Sequence, residues 1–183
     1  MKKIQFDINW KFIYEMINKI KEIKLRWFQI RLMNRILCTN ITLKAMQIRD
    51  SDLCTFCNEE QETIEHLFTE CEFVLMFWKD VKDLLVQYNI LNDNFEFDSI
   101  LMLFTYSKNH GKQMSKSVFY FLNVARYFVY KSRCEECIPI FASFLNYFKS
   151  KYQTIRYIAT KNNIIEQFDK EWENWQKLIL SLW

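Results

Sequence analysis

Between Cys54 and Cys71 the chain sets three cysteines and one of its two histidines in the order Cys-x2-Cys-x8-His-x4-Cys, in the stretch CTFCNEEQETIEHLFTEC. Thiolate and imidazole are what Zn²⁺ takes in closed structural sites, four at a time and tetrahedrally. Cys54, Cys57, His66 and Cys71 would therefore hold one structural Zn²⁺ and leave no position for a substrate. Composition alone gives about 0.2 Cys-x-x-Cys pairs in a chain of this cysteine content, and adding the histidine and third cysteine at these distances lowers that to about a few parts per thousand. The competing readings are three buried cysteines beside a core histidine, another soft metal, or a redox role.

Such a site needs elements that aim its ligands. Cys54 and Cys57 flank Thr55 and Phe56, a spacing that lets a tight turn point both sulfurs one way. Thr63 is placed to cap a helix carrying His66, with Ile64, Leu67 and Phe68 on its apolar side. His66 and Cys71 are five residues apart, about 140° around an α-helix, so they cannot share a face. The helix should end before Cys71, and Cys71 should open the next apolar-periodic run, residues 73–88.

Upstream, residues 10–23 read as an amphipathic helix and residues 24–37 as another, with or without a break between them. On the second helix Trp27, Ile30, Met33 and Leu37 share one side and Leu25, Leu32 and Ile36 a second. Lys24, Arg31 and Arg35 form a basic stripe within about 40° between them. Trp27 and Phe28 are expected in the core rather than as base-stacking platforms. Lys21, Lys24, Arg31 and Arg35 are the residues selected for phosphate contact, since Lys and Arg neutralise phosphates and release condensed counterions. The stretch TNITLKAMQI reads as a short helix capped by Thr39 or Asn40, followed by a polar turn into Cys54.

One glycine (Gly111) and one proline (Pro139) in 183 residues argue against β-sandwiches and glycine-rich phosphate loops. Mostly helix is expected, with a buried helix over residues 117–133 and a long helical stretch from Pro139 towards Leu182, interrupted near TKNN. The stretch YSKNHGKQMSK reads as an exposed loop. The longest uncharged run, residues 137–148, is too short for a membrane span, and an intracellular protein, cytoplasmic or nuclear, is expected. Net charge is segregated: +7 over residues 1–50, −10 over 51–100 and +6 over 101–183. An acidic middle between basic flanks can fold back on them, or can separate a nucleic-acid face from a protein-docking face. The second pair, Cys134 and Cys137, lacks a βαβ context and is read as structural or incidental; Cys38 and His110 are assigned no role.

Taken together, Leu25, Trp27, Phe28, Arg31, Arg35, Thr39, Asn40, Leu53, Cys54, Cys57, Glu62, Thr63, His66, Leu67, Phe68, Cys71 and the pair Phe77-Trp78 resemble the reverse-transcriptase zinc-binding domain. That domain lies in the C-terminal region of LINE-type, non-LTR retrotransposon polyproteins. The specific match spans residues about 24 to 85, with weaker likeness in ARYFVYKSR, YIATKNN and FDKEW. The resemblance implies a region that binds rather than makes bonds, helping hold template RNA or target DNA during target-primed reverse transcription. A Pro-Asp motif, as in family members with a restriction-like endonuclease, is missing, because Pro139 is followed by Ile140. No Asp-Asp dipeptide of a polymerase palm occurs either, so a detached, non-catalytic piece is expected.

The expected fold is mainly α, an irregular multi-helix bundle with a small CCHC zinc finger inserted between helices. The basic helical segment is 1–50, the finger 51–72, and the helical region 73–183 packs with 1–50 as one domain. The expected partners are nucleic acid and the polymerase core of the same polyprotein, with no membrane and no small-molecule substrate. The alternative is a protein-interaction module docking through its acidic segment.

Overall fold

The computed structural model describes residues 10–91 and 115–182. A short apolar run that the sequence shows at residues 100–104 and most of the YSKNHGKQMSK stretch, with His110, lie outside the described residues. The architecture is mainly α-helical: α1 Trp10–Asn18, α2 Ile23–Met33, α3 Asn40–Ala45, a one-turn π-helix His66–Glu70, α4 Glu72–Gln87, α5 Lys116–Cys134, α6 Phe141–Lys161, α7 Ile165–Glu171, a 3₁₀ turn Glu173–Trp175 and α8 Gln176–Ser181. Between α3 and α4 sits the cysteine-histidine segment, where the one β pairing among the described residues is an isolated antiparallel bridge, Leu53 to Gln61.

Helix α5 is the centre of the molecule. It is buried along almost its whole length, packing against α2 on one side and α6 on another. Its Phe121 meets Phe144, Phe148 and Trp175 with ring centroids 5.3, 4.7 and 4.9 Å apart, an edge-and-tilt aromatic cluster. From α4, Phe77 reaches the same cluster through Phe128 and Phe144. Trp172 closes the far end against Tyr152 and Phe168. Residues of the cysteine-histidine segment, Phe56, Ile64, Leu67 and Phe68, join this continuous core.

Glu22 makes the break between α1 and α2. Its carboxylate accepts from the Tyr120 hydroxyl at 2.7 Å and from Lys151 Nζ at 2.5 Å, which pins the linker to α5 and α6. Helix α2 then buries Leu25, Phe28, Gln29, Leu32 and Met33, the i, i+3, i+4, i+7, i+8 series of a single stripe.

Three expectations for this helix need correction. It ends at Met33, not Leu37; its C-cap Asn34 returns a side-chain bond to the Ile30 carbonyl. Arg35 stands in the left-handed region at φ 58°, so it is off the helix and off the stripe of Lys24 and Arg31. Trp27 is 55% exposed rather than in the core, since the buried stripe runs through its neighbour Phe28.

The helix ends share a device. After α2, the amide of Ile36 donates to the Arg31 carbonyl and that of Arg35 to Leu32, the double bond of a Schellman motif. The same pairs recur after α3, α4, α5 and α6, with Gln47, Asn89, Glu136 and Asn163 in the left-handed position. Glycine normally takes this place; a chain with one glycine puts polar side chains there instead.

Candidate metal centre

The segment Ser51–Thr63 folds as a small hairpin. Glu62 N donates to Asp52 O and Cys54 N donates to Glu60 O at 2.8 and 2.7 Å, closing its two arms. At the tip, Asn58 N donates to Cys54 O at 2.9 Å, and Asn58 takes φ 56° to turn the chain back. Within that turn the Phe56 amide points at Cys54 Sγ, 3.4 Å away, a contact that favours a thiolate.

The other two ligands come from the π-turn. Thr63 Oγ1 accepts from His66 N at 2.8 Å, the cap the sequence suggests. The Cys71 amide donates to the His66 carbonyl at 2.8 Å, an i→i+5 closure. This wider ring brings residue 71 back beneath residue 66, which an α-helix would not do. Cys71 leaves the turn extended and opens α4 as its N-cap residue, so the helix carrying His66 ends before Cys71, as the geometry of five-residue spacing requires.

The structure brings Cys54, Cys57, His66 and Cys71 together, with their ligand atoms all within 4.8 Å of one another. Cys54 Sγ lies 3.9 Å from Cys71 Sγ, and Cys57 Sγ lies 3.4 Å from His66 Nε2. Bond lengths of about 2.3 Å to sulfur and about 2.05 Å to nitrogen give tetrahedron edges of about 3.8 and about 3.5 Å, so the donor set fits one Zn²⁺. Cys54, His66 and Cys71 are buried and Cys57 is partly so. The Cys54–Cys71 hydrogen bond, helped by burial, raises the Cys54 thiol above its ordinary value, while the same bond lowers Cys71. Holding zinc would replace that shared proton with the metal charge.

Around the ligands runs a buried polar network in which the sequence signals Asn40, as a candidate helix cap and through the resemblance, and Leu53 and Glu62 through the resemblance. Glu62 is fully buried. Its Oε1 accepts from Asn40 N and from Arg133 Nε, both at 2.9 Å. Its Oε2 accepts from Thr55 N at 2.9 Å and Thr55 Oγ1 at 2.6 Å. Arg133 Nη2 donates to Asn40 Oδ1 at 2.6 Å, and Asn40 Nδ2 donates to Leu53 O at 2.6 Å. One carboxylate thus ties the start of α3, the hairpin arm beside Cys54 and the end of α5. Arg133 lies 71 positions from Glu62, beyond any local pattern.

Residues 1–78 match the family described as zinc-binding in reverse transcriptase. The matched zinc-binding domain runs from the N-terminus through the metal cluster to Trp78 in α4, and it names zinc as the ion for the Cys₃His set. No curated protein matches the chain. The domain's class supplies metal-held structure rather than a catalytic centre, and no helix among the described residues is long and apolar enough to cross a membrane.

Of the four residues selected for phosphate contact, Lys21 sits exposed in the linker before α2, and Lys24 and Arg31 are exposed on α2 seven residues apart. Arg35 has a partner in the zinc-binding domain, Glu65 Oε1 at 2.5 Å. The acidic middle does fold back in part on its basic flanks, through Arg35–Glu65, Lys44–Asp52 and Arg133–Glu62. Cys38, Cys134 and Cys137 are free and exposed, outside the cluster.

Proposed function

We propose that the chain is a zinc-stabilised, nucleic-acid-binding module of a LINE-type retrotransposon reverse transcriptase. In this reading one Zn²⁺ on Cys54, Cys57, His66 and Cys71 sets the hairpin against the helices. The basic edge formed by Lys21, Lys24 and Arg31, with Arg35 at its end, holds template RNA or target DNA during target-primed reverse transcription. The module works inside the cell and does no bond-making of its own. The finger is a small unit seated on one helical domain.

The observation that carries this reading is a group of exposed cations, unpaired among the described residues, at and just before α2, beside the metal-held segment. Arg35, Lys44, Arg49, Lys131, Arg133, Lys151 and Arg156 all pair with carboxylates. Among the described residues Lys21, Lys24 and Arg31 form no ion pair, yet all three are exposed, Lys21 in the linker just before α2 and Lys24 and Arg31 on it. Such unneutralised charge is what a phosphate backbone recruits. Arg35 contributes less, because it must first release Glu65.

The alternative, a module that docks on the polymerase core or another protein through its acidic segment, is weakened by the three finger carboxylates already spent on basic flanks. Affinity for RNA and DNA measured against salt separates the two. Lys24→Gln with Arg31→Gln should weaken binding and flatten the log-log salt slope by about 2 if each touches a phosphate, with zinc content and helicity unchanged. An unchanged slope in that folded double variant would remove the α2 edge from the reading.

A further inference from the structure

Trp27 projects from α2 with more than half of its surface exposed, between Lys24 one turn before it and Arg31 one turn after it. On a helix, residues at i−3 and i+4 stand on the same face as residue i, so the two cations bracket the indole along about 10 Å of axis. The three side chains line a hollow of about 440 Å³ together with Phe28 and, from α5, Tyr127 and Tyr130. Phe28 anchors both tyrosine rings from below, at 5.2 and 5.5 Å between centroids. No carboxylate is among the described residues lining this hollow.

A lone exposed tryptophan needs no explanation. An indole on a helix, bracketed by cations unpaired among the described residues and sharing its hollow with two tyrosines, has the makeup of a surface for a flat, electron-rich group carried on an anionic strand. A duplex offers its phosphates but keeps its base faces stacked away; a single strand offers both. We infer that the Trp27 hollow is a stacking platform for an unpaired base of single-stranded nucleic acid, with Lys24 and Arg31 on the phosphates either side. This rests on the nucleic-acid reading above and specifies the form of strand it takes.

The test uses the full zinc-loaded chain, a fluorescently labelled oligouridine, and an RNA duplex of the same length. Because Trp27 is exposed, Trp27→Ala should keep its fold, which circular dichroism and zinc content check. Trp27→Ala should weaken the single strand by about 5- to 150-fold, leave the salt slope unchanged because the phosphate contacts stay, and leave duplex affinity where it was. Trp27→Phe should recover part of the loss, and oligouridine should quench the fluorescence lost on replacing Trp27.

Unchanged single-strand affinity in Trp27→Ala overturns the platform. The nucleic-acid reading survives that result if Lys24→Gln with Arg31→Gln still flattens the salt slope. Equal weakening of single strand and duplex also overturns it, because Trp27 would then touch backbone only. If the parent chain binds neither these RNAs nor single-stranded and duplex DNA of the same length with salt dependence, both readings fall.

Discussion

Replacing Arg133 by methionine tests whether the buried network is what seats the finger on the helices. Methionine keeps much of the stem's volume but removes the donors that reach Glu62 Oε1 at 2.9 and 2.8 Å and Asn40 Oδ1 at 2.6 Å. Glu62, with no exposed surface, would keep only neutral partners, Thr55 and Asn40. Breaking a buried pair from one side costs about 3–5 kcal/mol, because the stranded charge stays desolvated. For a chain of this size that lowers the melting temperature by about 6–20 °C. Adding Glu62→Gln to Arg133→Met should recover part of the loss, since the amide is neutral and its one oxygen can still accept from Thr55, while its NH2 then meets the Asn40 N–H and keeps the recovery incomplete. Thermal denaturation of the zinc-loaded proteins measures both. A loss under about 1 kcal/mol in the single variant, or a double variant less stable than the single, would refute the argument that the charge pair anchors the hairpin.

Cys54→Ser should lose the bound zinc by elemental analysis and lose hydrogen-exchange protection over residues 53–71, while most helicity survives on the aromatic core of Phe121, Phe144, Phe148 and Trp175; collapse of the whole helical signal would make the metal the organiser of the entire fold. Gln47→Gly, at an exposed left-handed position after α3, relieves about 1–2 kcal/mol of side-chain crowding against about 0.5–1 kcal/mol of added chain entropy. It should raise stability by about 0.5–1 kcal/mol in urea melts, and a loss of stability would show that Gln47 holds its conformation without strain.

The metal cluster was legible because its information is local. Ligand types, the two-residue knuckle spacing and the impossibility of His66 and Cys71 sharing an α-helical face all lie within residues 54–71. The π-turn itself was not legible, since nothing in HLFTEC distinguishes an i→i+5 closure from a helix that simply stops. Helix ends were the weakest part of the reading, and for a definite reason: the usual stop signal is glycine in the left-handed position, and here arginine, glutamine, asparagine and glutamate occupy it. Reading α2 through to Leu37 followed from that, and it put Trp27 on an apolar face with Met33 and Leu37, which are buried while Trp27 is exposed. The true buried stripe passes through Phe28 and Leu32, one step round the helix. The Glu62–Arg133 pairing joins segments far apart in sequence, so only the tertiary structure could reveal it.

The charge segregation and the metal site have one explanation between them. A finger that carries five glutamates and no basic residue between Cys54 and Cys71 is a poor surface for phosphate. Two of these carboxylates are tied to the helices, Glu62 buried on Arg133 and Glu65 at the surface on Arg35, while Glu59, Glu60 and Glu70 stay exposed; Phe68 packs 6.2 Å from Phe28 of α2 and its carbonyl takes the Trp78 indole N–H of α4. The zinc cluster therefore fixes a hairpin whose outer contacts fix the direction of α2, and α2 carries Lys24 and Arg31, exposed and without an ion pair among the described residues. On the proposed reading, metal and nucleic acid never touch the same atoms: zinc acts through the angle of a helix. Pairing Glu62 with Arg133 and Glu65 with Arg35 neutralises two of the finger's five glutamates, which reduces its repulsion of the strand that α2 is placed to hold as well as seating the finger.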